Sequence, residues 1–230
     1  MTNSSASRPA IFGEVLFDSF PDGTSSLGGA PFNVAWNLKG FGLDPLFISR
    51  VGDDKNGRKV FDSMNEWGLS TDALQVDKEH QTGMVKVMLD KGEPAFSILP
   101  DQAYDFIDDD LMWSTIAEGK YSILYHGSLI ARNCVSRSAL DLLQSQAHAP
   151  VFCDVNLRAP WWEEARVLSM IKNIKWAKLN QEELTKLSGA SFKGRESVRK
   201  IASQFCKENK IENLVLTLGA DGAMIISLSG

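Results

Sequence analysis

The chain has 230 residues, with 24 basic and 29 acidic side chains giving a net charge of −5. No dense Lys/Arg block is present, so nucleic acid is disfavoured as the main partner, and no apolar run is long enough to cross a bilayer. At 43% apolar and 23% charged the composition is that of a globular protein, long enough to bury a full core. Cys134, Cys153 and Cys206 form neither a metal spacing nor a disulfide framework, and the Ser-rich Met1–Pro9 lacks the apolar core of a signal peptide. A cytoplasmic protein is expected.

Strand-like and helix-like segments alternate from the start. Ala10–Phe17 reads as a buried strand, short and almost wholly apolar. Leu27-Gly28-Gly29-Ala30-Pro31-Phe32-Asn33 follows, where two glycines permit a tight turn and Pro31 suits a first helical position. Phe32, Ala35, Trp36 and Leu38 then continue as one buried helical face. Asn33 is left as a polar side chain in the first turn, at the positive end of that helix. The arrangement suits a small hydroxyl-rich ligand; an ordinary glycine-rich strand-to-helix connection would look the same.

Pro45–Val51 is the next strand and Asn56–Trp67 the next helix. Thr82–Leu89 and Pro94–Leu99, joined by Asp90-Lys91-Gly92-Glu93, break the alternation and predict a hairpin. It is either a flap over a ligand site, with Asp18–Gly23 nearby, or a plain edge hairpin. Strands follow at Tyr121–Tyr125, Val151–Asp154, Ile174–Leu179 and Leu214–Leu218, with helices at Ser136–Gln146, Trp161–Lys172 and Arg195–Lys207. Such alternation predicts an α/β fold, a doubly wound and mainly parallel sheet flanked by helices. We expect one domain over residues 1–230, with flap elements near 18–23 and 82–99.

In such sheets ligands bind beyond the carboxyl ends of the strands. Asp18 follows the first strand, and Asp154-Val155-Asn156-Leu157-Arg158 follows the strand at Val151. Asn180 and Glu183 follow Leu179, and Gly219-Ala220-Asp221-Gly222 follows Leu218. Each has a plain structural alternative. Asn180 and Glu183 fit a capping box, which Gln would complete as well as Glu. Gly219–Gly222 fits a type I′ or II turn, Arg158 a surface pair with Glu163, and Asp18 a loop cap. Phe96, Gln102 and Tyr104, on and just after the flap, are candidates for setting specificity.

The motifs in their order resemble a known family. Gly28-Gly29-Ala30-Pro31-Phe32-Asn33-Val34-Ala35, with Gly40, Gly42 and Val51-Gly52-Asp53-Asp54-Lys55-Asn56-Gly57, resembles the N-terminal signature of the ribokinase (PfkB) carbohydrate kinases. Asp154–Arg158, Asn180-x-x-Glu183 and Thr217-Leu218-Gly219-Ala220-Asp221-Gly222 are similar to its later motifs, and Asp-x-Asn-x-Arg to its fructokinase branch. The resemblance implies a ribokinase-like core with a β lid, moving the γ-phosphoryl of ATP, with Mg²⁺, to a sugar hydroxyl. Asp18, Gly28, Gly29 and Asn33 would then hold the sugar, with Phe96 and Tyr104 contributing. Arg158 would face the phosphoryl group or an acidic part of the substrate. Asn180 and Glu183 would serve the nucleotide–Mg²⁺ region, Glu183 through water, and Thr217, Gly219 and Gly222 would line the nucleotide site.

Within the family, 2-keto-3-deoxygluconate, ribose and nucleoside kinases are rivals to a fructokinase. A non-catalytic sugar- or nucleotide-binding protein is the reading from another class. A dinucleotide-dependent oxidoreductase is weakly supported, since no G-x-G-x-x-G follows the first strand. The family pattern also calls for a Gly-Ala-Gly-Asp motif carrying the catalytic base, which these residues do not contain. We therefore expect the N-terminal portion of a kinase, with negligible turnover alone and apolar strand surface left exposed. A small lid sheet with one apolar face would gain from pairing, so a homodimer through the lid is expected.

Overall fold

Ala10, Ile11 and Phe12 are wholly buried, as in a parallel strand covered on both faces. The computed structural model describes residues 7–90, 93–117, 119–191 and 194–228. It divides into two compact units, Met1–Leu124 with Ile130–Ala149, and Tyr125–Leu129 with Pro150–Gly230.

The first unit opens with β1 (Arg8–Phe12), β2 (Leu16–Ser19), β3 (Ser25–Gly28), α1 (Ala30–Gly40), β4 (Leu46–Gly52), α2 (Lys55–Trp67) and β5 (Leu74–Asp77). Then come β6 (Gly83–Asp90), β7 (Glu93–Ile98), a 3₁₀ turn at Ala103–Phe106, α3 (Asp109–Ile116), β8 (Tyr121–Gly127) and α4 (Cys134–Gln146). The last three residues of β8 belong to the second unit. In the main sheet β1 lies between β8 and β4, with β5 outside β4, and β1, β4 and β5 run parallel.

The expected single strand over Ala10–Phe17 is two strands in two sheets. Gly13 ends the first: its N–H donates to the Ile48 carbonyl (3.1 Å), and a Cβ there would overlap the Pro31 ring (2.3 Å). The chain then turns through Glu14 and Val15, so that Leu16–Ser19 enters a separate four-stranded sheet, β3-β2-β6-β7. The expected hairpin is present as the antiparallel pair β6–β7, but its partner β2 lies parallel to β6. Lys91 and Gly92 of the expected turn lie outside the described residues.

One half-buried carboxylate secures the start of β6. Asp54, the N-cap of α2, accepts the Gly57 N–H (2.8 Å) and the Thr82 hydroxyl (2.9 Å) on one oxygen and the Thr82 N–H (2.8 Å) on the other. Burial works against ionisation, yet these donors outweigh it and hold the carboxyl below its ordinary range. Asp54→Asn turns an amide NH₂ toward an N–H donor and should cost about 1–2 kcal/mol near pH 7 by urea unfolding. Because the folded value is lowered, that stabilisation is complete above the unfolded carboxylate range and disappears as pH falls through the folded value. The difference between wild type and Asp54→Asn should therefore shrink below about pH 4.

The second unit contains β9 (Val151–Asp154), α5 (Glu164–Met170), β10 (Trp176–Asn180), α6 (Gln181–Ser188), α7 (Arg195–Asn209), β11 (Asn213–Thr217) and β12 (Ala223–Ser227). Strands β9, β10 and β11 are parallel neighbours and β12 closes antiparallel on β11. Helix α5 is shorter than the expected Trp161–Lys172. The residues before it form a turn, with the Trp161 N–H on the Arg158 carbonyl (2.7 Å), and Asn173 beyond it is left-handed (φ 60°). The core is built from Val167, Leu179, Leu184, Phe205, Leu214 and their neighbours. On β12, Ile225 is 66% exposed. Cys153 and Cys206 are buried here, and burial raises both thiols, Cys206 to about 11; Cys134, at the start of α4, is exposed. No helix among the described residues is long and apolar enough to cross a membrane.

Candidate active site

Helix α1 begins at Ala30, one residue before the expected start, with Gly29 as its N-cap (φ 111°). A Cβ at Gly29 would lie 2.6 Å from the Glu14 carbonyl oxygen, so the backbone packs here at a distance only glycine permits. Gly28 is different. It ends β3, and a Cβ there would meet Asp18 Oδ2 at 3.7 Å and Asn33 Nδ2 at 4.0 Å. The Asp18 carboxylate and the Asn33 amide thus face one small space in front of the Gly28 backbone.

Asp18 sits inside β2, opposite Ser26 of β3 and beside Val85 of β6, so two neighbouring strands fix its direction. Asn33 is exposed on the first turn of α1, its N–H donating to the Gly29 carbonyl (2.8 Å). An acceptor-only carboxylate beside an amide that both donates and accepts is a set suited to sugar hydroxyls. Phe96, paired with Val87 across β6 and β7, is 62% exposed. Tyr104 is wholly buried, its ring 5.1 Å beneath the Arg132 guanidinium; burial, opposed by Arg132, raises its phenol well above the ordinary value.

Beside Tyr104 lies a charge pair that the motifs did not reveal. Arg132 donates from Nε to Asp105 Oδ1 (2.7 Å) and from Nη2 to Asp105 Oδ2 (2.6 Å) and to the Leu99 carbonyl (2.7 Å). The two side chains are only 4% and 1% exposed. Glu14, 4% exposed, adds its charge to the same surroundings. The available signal was a lone charge inside an apolar run, as in Leu129-Ile130-Ala131-Arg132 and Phe12-Gly13-Glu14-Val15.

In the second unit the parallel register places the polar residues at the same ends of their strands. Asp154 closes β9, and Asn180 of β10 is level with Thr217 of β11. Asp154 accepts Lys178 Nζ on both oxygens (2.9 and 3.2 Å) and the Tyr125 hydroxyl (3.3 Å). Asn180 and Glu183 form the expected capping box, with each side chain accepting the other's backbone N–H at 2.8 Å. Glu183 does more: its second oxygen accepts the Leu157 N–H (2.9 Å). The expected partner of Arg158 is engaged elsewhere, since Glu163 pairs with Arg166 at 2.9 Å and Arg158 is exposed.

Gly219–Asp221 is a 3₁₀ turn between β11 and β12 rather than a type I′ or II turn. Gly219 and Gly222 are exposed and left-handed (φ 61° and 87°). No atom lies within 4 Å of where a Cβ would stand at either, so a ligand can approach their backbone closely. The groove between α7 and β12, about 640 Å³ and lined by Arg195, Arg199, Met224 and Ile225 among others, contains none of the candidate residues. Among the described residues, no group of three or more His, Cys, Asp or Glu is placed to hold a metal ion.

Residues 13–230 match the model of the pfkB family carbohydrate kinases. Over 212 residues the chain is 29% identical to pseudouridine kinase of Escherichia coli strain K12, covering 88% of this chain and 63% of that protein. Over 227 residues it is 27% identical to an Escherichia coli fructokinase, covering 94% and 72%. The fructose-, ADP- and calcium-bound structure of Vibrio cholerae O395 fructokinase superposes with a TM-score of 0.81 at 27% identity, covering 97% of this chain and 74% of that one. The chain spans about three fifths of the length of two of the curated relatives it matches, 59% and 63%. The family match covers both units and nearly every element: this chain belongs to the pfkB family of carbohydrate kinases.

Proposed function

We propose that this chain carries the acceptor-binding part and much of the nucleotide-facing part of an ATP-dependent sugar kinase of fructokinase type. The observation that carries the reading is the space before Gly28, which the Asp18 carboxylate and the Asn33 amide both face. The fructose and ADP bound by the Vibrio cholerae relative support it. Asp18 and Asn33 orient the acceptor, with the Gly28 and Gly29 backbone as floor and Phe96 as an apolar wall, while Tyr104 backs the site from beneath. Arg158 offers an exposed cation to phosphoryl oxygens, and Asn180, Thr217, Gly219 and Gly222 face the nucleotide. Phosphoryl transfer depends chiefly on such positioning and charge neutralisation. Mg²⁺ would arrive with the ATP phosphates; the described residues supply no ligand cluster of their own. On the other face of the four-stranded sheet from Phe96, exposed Met88 supports pairing of two lids in a homodimer.

The test is calorimetry with D-fructose and, separately, ATP, alongside ADP release in the full-length kinase. Asp18→Ala should weaken fructose binding about 10- to 100-fold, the worth of one or two hydrogen bonds to a charged group, and leave ATP binding unchanged. Unchanged fructose affinity would remove Asp18 from the site. Fructose binding without any ADP release in the full-length protein would favour a non-catalytic binding protein.

A further inference from the structure

We propose that Glu183 is a positioning residue, a strut that fixes the Asn156–Arg158 loop. The inference deepens the kinase reading above, in which Arg158 is the cation facing the phosphoryl group.

A capping box uses one carboxylate oxygen, the one that returns to the N-cap N–H. Glu183 Oε2 performs that task on Asn180 (2.8 Å), while Oε1 accepts the N–H of Leu157, 26 residues upstream (2.9 Å). The second bond adds nothing to helix capping; it holds the peptide adjoining Arg158. The strand ladder has already ended there, with Val155 N–H on the Lys178 carbonyl (3.1 Å), and Asn156 turns the chain through a left-handed conformation (φ 41°). Past Arg158 the chain is tied again by the Trp161 N–H on the Arg158 carbonyl (2.7 Å). Leu157 is thus the midpoint of a short loop that Glu183 connects to the start of α6.

The environment fits a strut: Glu183 is 5% exposed and each of its oxygens faces a backbone donor. The expectation that Gln would serve equally therefore fails on geometry. A glutamine has one acceptor oxygen and an NH₂ that would confront the other N–H, so it satisfies only one of the two donors.

The test is amide hydrogen exchange on the 230-residue chain without ligand. The wild-type Leu157 amide should be protected. Glu183→Gln should speed its exchange about 10- to 100-fold, whereas Asn180→Ala, which weakens only the cap, should leave it near the wild-type rate. In the full-length kinase, Glu183→Gln should not slow Arg158→Ala further, because the strut acts through that arginine. Free-loop exchange of Leu157 in the wild type or unaltered exchange in Glu183→Gln would each overturn the strut. The first of these readouts needs no variant to fold. If the full-length protein releases no ADP with any sugar, the kinase reading fails, and the exchange data alone decide the role of Glu183.

Discussion

Replacing Asp105 by Ala lowers the unfolding free energy by about 3–5 kcal/mol. The size comes from what is left behind. The Arg132 guanidinium is 4% exposed and makes two charge-assisted bonds to Asp105, at 2.7 and 2.6 Å. Without the carboxylate, a cation remains in a region where water cannot solvate it, with Glu14 left to offset the charge. The Gln102 N–H, 3.0 Å from Asp105 Oδ2, loses its acceptor as well. Removing both ends at once, as in Asp105→Leu with Arg132→Met, should cost less than the sum, since neither member of the pair is left behind without the other. Urea unfolding of the two single variants and the double measures this directly. A loss under about 1 kcal/mol for Asp105→Ala would mean that the pair is solvated in solution.

The second large effect concerns binding with the fold intact. Gly28→Ala should reduce fructose affinity about 100-fold while changing stability by less than about 1 kcal/mol. The added methyl would sit in ordinary contact with Asp18 Oδ2 (3.7 Å) and Asn33 Nδ2 (4.0 Å), in the volume proposed for a sugar hydroxyl. Its neighbour gives the opposite result. At Gly29 the methyl would be 2.6 Å from the Glu14 carbonyl on a backbone at φ 111°, so Gly29→Ala should destabilise the unit by several kcal/mol. Thermal melts paired with calorimetry separate the two. Normal fructose binding by Gly28→Ala would place the sugar elsewhere.

Much of this was legible in the chain. The parallel strands were readable because burial on both faces demands continuous apolar runs, and the Asn180–Glu183 box because its chemistry is local. What was missed depends on distant partners. Leu74-Gln75-Val76-Asp77 is too short and too polar to announce a strand, and pairs only because β4 lies beside it. Ala10–Phe17 carries one apolar pattern, while its division between two sheets shows only in its partners, β4 for the first part and β3 and β6 for the second. In the candidate site, the glycine motif and Asp18 were visible, but the contact between them required β2 and β3 to pair. Arg132, Asp105 and the Leu157 bond to Glu183 lie 26 to 27 residues from their partners, beyond any local periodicity.

The three cysteines differ in a way that has practical use. Cys153 and Cys206 are buried thiols with raised ionisation, hence poor nucleophiles, while Cys134 stands exposed on α4. A maleimide dye at neutral pH will therefore mark one position of the native chain without any cysteine being removed. Loss of that selectivity on warming reports the opening of the second core, whose two thiols join the reaction only when it unfolds.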